Sequence, residues 1–291
     1  RVLSLLQEVL LQSLNLRSCP PAECEHPPVH WFGSRFGHDW SPLHPQASAL
    51  DLLFQGVEPR VFYKHAERFW QSLGFPALPE PFWHHSVLTP LLTADGTSIA
   101  HGASCWHMDL GQDVRCLAGT SPSAWWYTAA HHEIGHAYYY LTCGQTSLRG
   151  FLKRGASRAL HETFADLGRV VCLQPSYVEA AGLTEMTPEL VLGLQAYELL
   201  ATALPLFTWS AGPVTHFEYD IYAGDLPAEE WQTRWWDYVQ KYQRMSRPSP
   251  SPRPACDAAS VEPLNTQPCY HWNYALAICM RYQLLDYASR T

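Results

Sequence analysis

The chain has 291 residues, enough for one large domain or two ordinary ones with a substantial buried core. With 47% apolar and 16% charged residues, the composition is typical of a folded globular protein and excludes a disordered chain. The formal charge of −8 and the lack of a long basic run argue against nucleic acid as a partner.

The sequence also carries signals about compartment. No stretch approaches the roughly 18 uninterrupted apolar residues of a spanning helix, so we expect no membrane span in this chain. The first residues place Leu and Val at helical spacing, and we expect the chain to begin inside a helix. Nine cysteines favour an oxidising compartment without fixing their connectivity. Three close pairs occur: Cys19/Cys24, Cys105/Cys116 and Cys256/Cys269.

Helical patterns dominate the chain. Apolar residues recur at helical spacing in segments bounded by caps or helix breakers, so we predict a mainly α fold. The predicted helices cover residues 59–73, 121–142, 159–172, 188–204, 227–244 and 270–288. Ser121 and Thr187, each followed by proline, predict the N-caps of two of these helices.

Two segments between the helices have other patterns. Residues 97–100 and 113–116 flank the turn residues 110–112, and we predict that they form a short β-hairpin just before the helix predicted at 121–142. Residues 246–254 alternate proline with serine and arginine, which predicts an exposed loop.

The strongest chemical signal is His132-Glu133-Ile134-Gly135-His136, which falls inside the second predicted helix. Residues four apart share a helix face, so both imidazoles can reach one zinc ion. Glu133 is then free to take a proton from a metal-activated water, as in zinc hydrolases. The competing interpretation is a helix that carries two hydrogen-bonded histidines with no metal.

A third ligand is available on the next predicted helix. Glu162 follows His136 by 26 positions, and Asp166 lies one helical turn further on, where it can hydrogen-bond a ligand histidine. This is the His, His, Glu arrangement of zincin metallopeptidases. We expect His131 and His161 to point elsewhere, because adjacent helical positions do not share a face.

The residues resemble the angiotensin-converting enzyme family of zinc peptidyl-dipeptidases. The likeness covers residues 131–139, Arg154-Gly155-Ala156 and His161-Glu162 with Asp166. Upstream segments such as 54–56, 72–75 and 103–106 follow the family pattern, as do downstream segments 222–224, 235–236 and 270–285. Because family domains are about twice as long, we expect residues 1–291 to be a partial catalytic domain that lacks an amino-terminal helical half.

The resemblance implies a role for each matched residue. His132, His136 and Glu162 would hold one zinc ion, Glu133 would activate water, and Asp166 would orient a ligand histidine. Further roles implied by the resemblance concern the substrate: Tyr274 would stabilise the oxyanion, Gln55 would bind the C-terminal carboxylate, and Ala103 would lie on the strand that pairs with the substrate backbone. Cys105 and Cys116 flank the hairpin where the family has a disulfide, but Cys105 is displaced from the family position, so a free thiol is the alternative.

The chain departs from the family pattern near its carboxyl end. The family histidine and lysine that precede the catalytic tyrosine are missing near 264–268, and His271 stands where a substrate-binding tyrosine is usual. By the same resemblance, Asp220 and Asn273 stand in place of the two arginines that the family uses to bind chloride, so we expect little chloride dependence.

Two functions follow from these patterns. The first is a zinc metallopeptidase that releases dipeptides, or single residues, from peptides with a free C-terminus. Such a protein would be extracellular, either secreted or membrane-anchored through a segment absent here. The second is a catalytically impaired relative that binds peptides or another protein through the same cleft.

Overall fold

The computed structural model describes residues 26–32, 37, 39–99, 101–145, 147–247 and 256–290. The predicted initial helix, the Cys19/Cys24 pair and most of the proline-rich loop lie outside these residues. The chain divides into two compact units. The first unit comprises Arg1–Ser48 and Gln195–Leu276, and the second comprises Ala49–Leu194 and Ala277–Thr291.

Helices make up most of the described chain, which confirms the mainly α class. The α-helices are α1 (Pro45–Ser48), α2 (Pro59–Ser72), α3 (Glu80–His85), α4 (Ala124–Cys143), α5 (Arg158–Val171), α6 (Pro175–Ala180), α7 (Pro188–Tyr197), α8 (Leu204–Trp209), α9 (Thr215–Tyr222), α10 (Trp231–Gln243), α11 (Glu262–Thr266) and α12 (Trp272–Arg290). The strands are β1 (Leu91–Leu92), β2 (Ser98–Ile99), β3 (Ser104–His107) and β4 (Val114–Leu117).

Of the two predicted N-caps, one is confirmed and one is wrong. Thr187 caps α7, since its hydroxyl accepts a hydrogen bond from the Leu190 N–H at 3.2 Å. The prediction for Ser121 was wrong, because Ser123 caps α4 by accepting from the Trp126 N–H at 3.3 Å. Both serines precede the same apolar run, so pattern alone did not distinguish them.

The helix predicted to end at residue 204 continues to Tyr222. It passes through two π-helical segments, Glu198–Ala203 and Ser210–Val214, whose wider turns accommodate proline within the run. In the second of these segments, the Ser210 carbonyl accepts a hydrogen bond from the Thr215 hydroxyl at 2.6 Å. The run from Pro188 to Tyr222 is also long enough to cross a membrane and contains an 18-residue window with a mean hydropathy of 1.6. Core helices pass the same test, so the absence of a span stays a prediction.

The predicted hairpin has different strand partners from those expected. β4 pairs with β3, with Cys105 directly opposite Cys116, whereas β2 pairs with β1. The described part of the predicted first strand, residues 97–99, therefore does not pair with residues 113–116 as predicted. The reason is local: the Gly96 N–H donates to the Thr93 carbonyl at 2.9 Å and closes a tight turn between β1 and β2.

The second unit packs aromatic residues around α4. Trp70 of α2 stacks on Phe164 of α5, with ring centroids 4.5 Å apart, and lies 5.7 Å from the ring of Tyr138 of α4. Near the start of α4, Tyr127 stacks on Phe54 at 4.7 Å. Because α4 is surrounded in this way, its central residues are buried and their polar groups must find partners inside the protein.

The first unit has its own core, formed by apolar side chains from the amino-terminal segment and helices α8 to α11. The buried members are Phe32, Trp40, Leu200, Trp209, Val214, Phe217, Trp235, Val239, Met245, Ala258, Val261 and Leu264. Trp209 and Trp235 make an edge contact at its centre, with ring centroids 5.3 Å apart.

Candidate metal centre

Two histidines of α4 face α5. His132 and His136 lie one helical turn apart, and their ring centroids are separated by 4.6 Å. His132 is 5% exposed, so its imidazole has little access to bulk water. The helix thus presents two imidazoles side by side in a buried setting, as the sequence spacing predicts.

Glu162 of α5 completes the group. Its Oε2 atom lies 3.2 Å from Nε2 of His132 and 3.4 Å from Nε2 of His136. Among the residues that the structure describes, these three form the one group of histidine, cysteine or acidic side chains able to hold a metal ion, with all ligand atoms within 4.8 Å of one another.

The spacing of these atoms fits zinc. Ligands at about 2.0–2.1 Å from a tetrahedral ion stand about 3.3–3.4 Å apart, which agrees with the Oε2 to Nε2 distances. Although burial alone would raise it, the pKa of Glu162 is held well below its ordinary value by His136 and His132. The carboxylate is therefore ionised and suited to a cation.

Asp166 fixes the far side of His132. Its Oδ1 atom lies 2.8 Å from Nδ1 of His132, and its Oδ2 accepts a hydrogen bond from Nη1 of Arg281 at 3.2 Å. Nη1 of Arg169 is 3.5 Å from Oδ1. Burial opposes ionisation of Asp166, but Arg169, Arg281 and His132 lower its pKa below the ordinary value.

The same carboxylates act on His132. Burial and Arg169 lower the pKa of His132, and the hydrogen bonds to Asp166 and Glu162 more than offset them, so that the pKa is raised to about 9. His132 thus lies between two anionic partners, one at each ring nitrogen.

Glu133 follows His132 on α4 and is buried. Its side chain is 5% exposed, and its Oε2 atom has no hydrogen-bond partner within the described part of the chain. Leaving a buried carboxylate oxygen without a hydrogen-bond partner costs free energy. A hydrogen bond from a substrate or a water molecule would remove that cost, so this oxygen is available as an acceptor.

The two histidines beside the ligands behave differently from each other. His131 points away, as expected: its Nδ1 lies 2.8 Å from the Tyr127 carbonyl and its Nε2 lies 2.8 Å from the Tyr177 hydroxyl. His161 is also outside the metal-binding group, as expected, but its Nδ1 lies 2.5 Å from Nδ1 of His136, a contact that was not predicted. Burial, and then His136, lower the pKa of His161 to about 3.

Adjacent positions on α5 reach His136 from two edges of one ring. Glu162 approaches Nε2 and His161 approaches Nδ1, so the two residues need not share a helix face. Sequence reasoning also missed Arg281. Its only signal was a basic residue in an apolar helix, and nothing in the sequence indicated Asp166 as its partner.

The substrate residues implied by the family resemblance lie in different segments of the chain. Gln55 is exposed just after the short helix Ala49–Phe54, and Ala103 immediately precedes β3 rather than lying on it. Within the described chain, no hydrogen bond or ion pair joins Gln55 or Ala103 to His132, Glu133, His136, Glu162 or Asp166. His271 and Tyr274 belong to the first unit, where His271 is buried and its ring centroid is 5.4 Å from that of Tyr274.

Comparisons with known proteins agree with this geometry. A family model described as angiotensin-converting enzyme matches residues 26–290. The angiotensin-converting enzyme of Theromyzon tessulatum is 25% identical over 237 residues, which cover 77% of this chain and 37% of that protein. The enzymes of Rattus norvegicus and Oryctolagus cuniculus are each 26% identical, over 77% of this chain and 18% of their own length. The chain thus matches well under half the length of these relatives.

Proposed function

Because the chain belongs to the angiotensin-converting enzyme family, we propose that it is a zinc metallopeptidase in which His132, His136 and Glu162 hold one zinc ion. The observation that carries this proposal is the approach of the Glu162 Oε2 atom to both imidazole Nε2 atoms. Glu162 supplies the anionic ligand and the histidines supply two neutral ones, which leaves the fourth position for water or substrate.

Zinc, when bound, would supply a Lewis acid that lowers the pKa of a water molecule and polarises the scissile carbonyl. Glu133 then accepts a proton from the attacking water and passes it to the leaving amine. Its buried, unpartnered Oε2 atom suits this transfer. Asp166 keeps His132 in the tautomer whose Nε2 lone pair faces the metal, since its carboxylate accepts the Nδ1 proton.

The substrate is a peptide with a free C-terminus, from which the enzyme releases dipeptides or single residues. By resemblance to the family, Tyr274 donates a hydrogen bond to the oxyanion, Gln55 binds the terminal carboxylate, and Ala103 and His271 contact the peptide. Such an enzyme works outside the cell, secreted or held at the membrane. The loss of the family histidine and lysine near residues 264–268 favours the alternative of an impaired relative that binds peptides without cleaving them.

The test combines metal content with peptide cleavage. We expect about one zinc per chain, loss of zinc in His132→Ala, and retained zinc in Glu133→Gln. General acid–base help is worth about 10²–10⁴ in rate, so Glu133→Gln should lose activity by that factor. A peptide with an amidated C-terminus should resist cleavage. Zinc binding without cleavage of either peptide would support the binding function, and equal zinc in wild type and His132→Ala would contradict both.

A further inference from the structure

The two nitrogens of His136 have different surroundings. Its Nε2 atom lies 3.4 Å from Glu162 Oε2 and so faces the metal centre, whereas its Nδ1 atom lies 2.5 Å from Nδ1 of His161. A neutral imidazole has one N–H and one lone pair. If Nε2 of His136 gives its lone pair to the metal, Nδ1 carries the proton, and this N–H donates a hydrogen bond to His161. His161 must then present an unprotonated Nδ1 atom.

The ring of His161 is held in place by its neighbours. Tyr139 and Tyr140 lie against it with ring centroids 4.5 and 4.3 Å away, and the side chain is 5% exposed. The tyrosines come from the same helix as His136. Because packing already fixes the His161 ring, it loses little entropy when it accepts a hydrogen bond. The hydrogen bond to His161 therefore defines the position of His136 before metal binds.

We infer that His161 is a positioning residue that fixes the tautomer and ring plane of His136, and this inference rests on the proposed zinc site. The centre is then supported asymmetrically, with a charged acceptor, Asp166, behind His132 and a neutral acceptor behind His136. A neutral partner suits this place, because Glu133, Glu162 and Asp166 already bury three carboxylates, and the described ion pairs direct Arg169 and Arg281 to Asp166.

The central experiment measures the zinc dissociation constant by competition with a chromophoric chelator. His161→Phe keeps a ring between the two tyrosines but removes the acceptor, and we expect zinc binding to weaken about 10–100-fold. His161→Asn places an amide oxygen near the position of Nδ1, and we expect it to recover most of the wild-type affinity. A purely structural role would give the opposite order, because asparagine fills the space less well than phenylalanine.

His131→Phe is the matched control. His131 is also a buried neighbour of a ligand, but it hydrogen-bonds Tyr127 and Tyr177 instead. We expect this variant to lose folding stability while its zinc dissociation constant stays within about threefold of wild type, since its partners lie away from the metal.

NMR of the zinc-loaded wild type tests the inference without a substitution. Imidazole ¹⁵N shifts should show the proton of His136 on Nδ1 and that of His161 on Nε2. The inference is overturned if His161 carries its proton on Nδ1, if His161→Phe binds zinc as tightly as wild type, or if His161→Asn binds as weakly as His161→Phe. Absence of zinc binding by the wild type would instead overturn the proposed function.

Discussion

Gly135 of α4 lies so close to Ala165 of α5 that a methyl group added at Gly135 would stand 2.5 Å from the Ala165 Cα atom. The same two helices approach closely at a second place: a methyl group added at Gly168 of α5 would stand 2.6 Å from the His131 carbonyl oxygen of α4. Two glycines thus let the backbones approach closely. This approach brings the Glu162 carboxylate within reach of both ligand histidines.

Gly135→Ala should therefore damage both stability and metal binding. The added methyl group meets backbone atoms that cannot rotate away, so the helices must separate. We expect the free energy of unfolding to fall by about 1–3 kcal/mol in urea titrations. Zinc affinity, measured by chelator competition, should fall at least about tenfold, as expected when a ligand loses its support.

Gly150→Ala is the control for this prediction. A methyl group at Gly150 meets no atom within 4 Å, so its effect on stability should stay within about 0.5 kcal/mol. If Gly135→Ala proves as harmless as Gly150→Ala, the glycine contact does not set the helix spacing.

The buried pair of Arg281 and Asp166 should contribute strongly to folding. Both side chains are at most 1% exposed, and Arg281→Met would leave the Asp166 carboxylate with one fewer cation. Breaking a buried pair by removing one partner costs about 3–5 kcal/mol, and we expect a loss of that order in denaturant unfolding.

Arg290→Met on the same helix provides a comparison. Arg290 pairs with Asp286 at 2.7 Å, but both side chains are more than half exposed. Exposed pairs contribute about 0–1 kcal/mol, so this variant should be close to wild type. Equal losses in the two variants would show that burial does not set the contribution of Arg281.

Cys105 and Cys116 should form a disulfide under oxidising conditions. They are directly opposed on β3 and β4, and opposed residues of antiparallel strands lie about 4.5–5.5 Å apart at Cα, within the range that a disulfide spans. Closing this short loop should stabilise the fold by about 2–4 kcal/mol. Peptide mapping of oxidised protein should recover the linked pair.

Cys172 is the internal reference for this experiment. It is fully buried, and its thiol donates to the Arg169 carbonyl, so it should stay reduced and resist alkylation until the protein unfolds. Alkylation of both Cys105 and Cys116 in the oxidised, folded protein would contradict the predicted bridge.

Peptide hydrolysis should depend little on chloride. The amide nitrogen of Asn273 donates to the Tyr270 carbonyl at 2.7 Å. Asp220 accepts from the Tyr238 hydroxyl at 2.6 Å and lies 3.5 Å from Arg234. Asn273 thus offers a neutral amide and Asp220 an anion, and an anion repels chloride.

The assay exchanges chloride for a bulky anion at constant ionic strength, so that general screening is unchanged. We expect the rate to stay the same. A several-fold fall in rate would show that another cation binds the ion.

The sequence predicted the helices best where periodicity and caps agree. The α4 helix and the spacing of His132 and His136 follow from local patterns, and the structure places Glu162 beside them. Strand partners were harder to predict, because β3 and β4 are four residues each and several short segments compete to pair. A turn hydrogen bond at Gly96 decides the pairing of β2, and periodicity carries no information about it.

Contacts distant along the chain were beyond local patterns. Arg281 follows Asp166 by 115 residues, so no helical spacing relates them. The contact between His161 and His136 was not predicted for a different reason: the rule on shared helix faces treats a histidine as one contact point, whereas its two ring nitrogens can be reached from different directions.

The separation of these contacts along the chain has a kinetic consequence. His132 and Glu162 come from consecutive helices only 30 residues apart, whereas Arg281 must close a far longer loop to reach Asp166. Loop closure costs more entropy as the loop lengthens, so we expect α4 and α5 to pair before α12 docks. Substitutions at the α4–α5 contact should then slow folding, and substitutions of Arg281 should mainly accelerate unfolding. The three proposed zinc ligands would then come together on a helical hairpin before α12 docks.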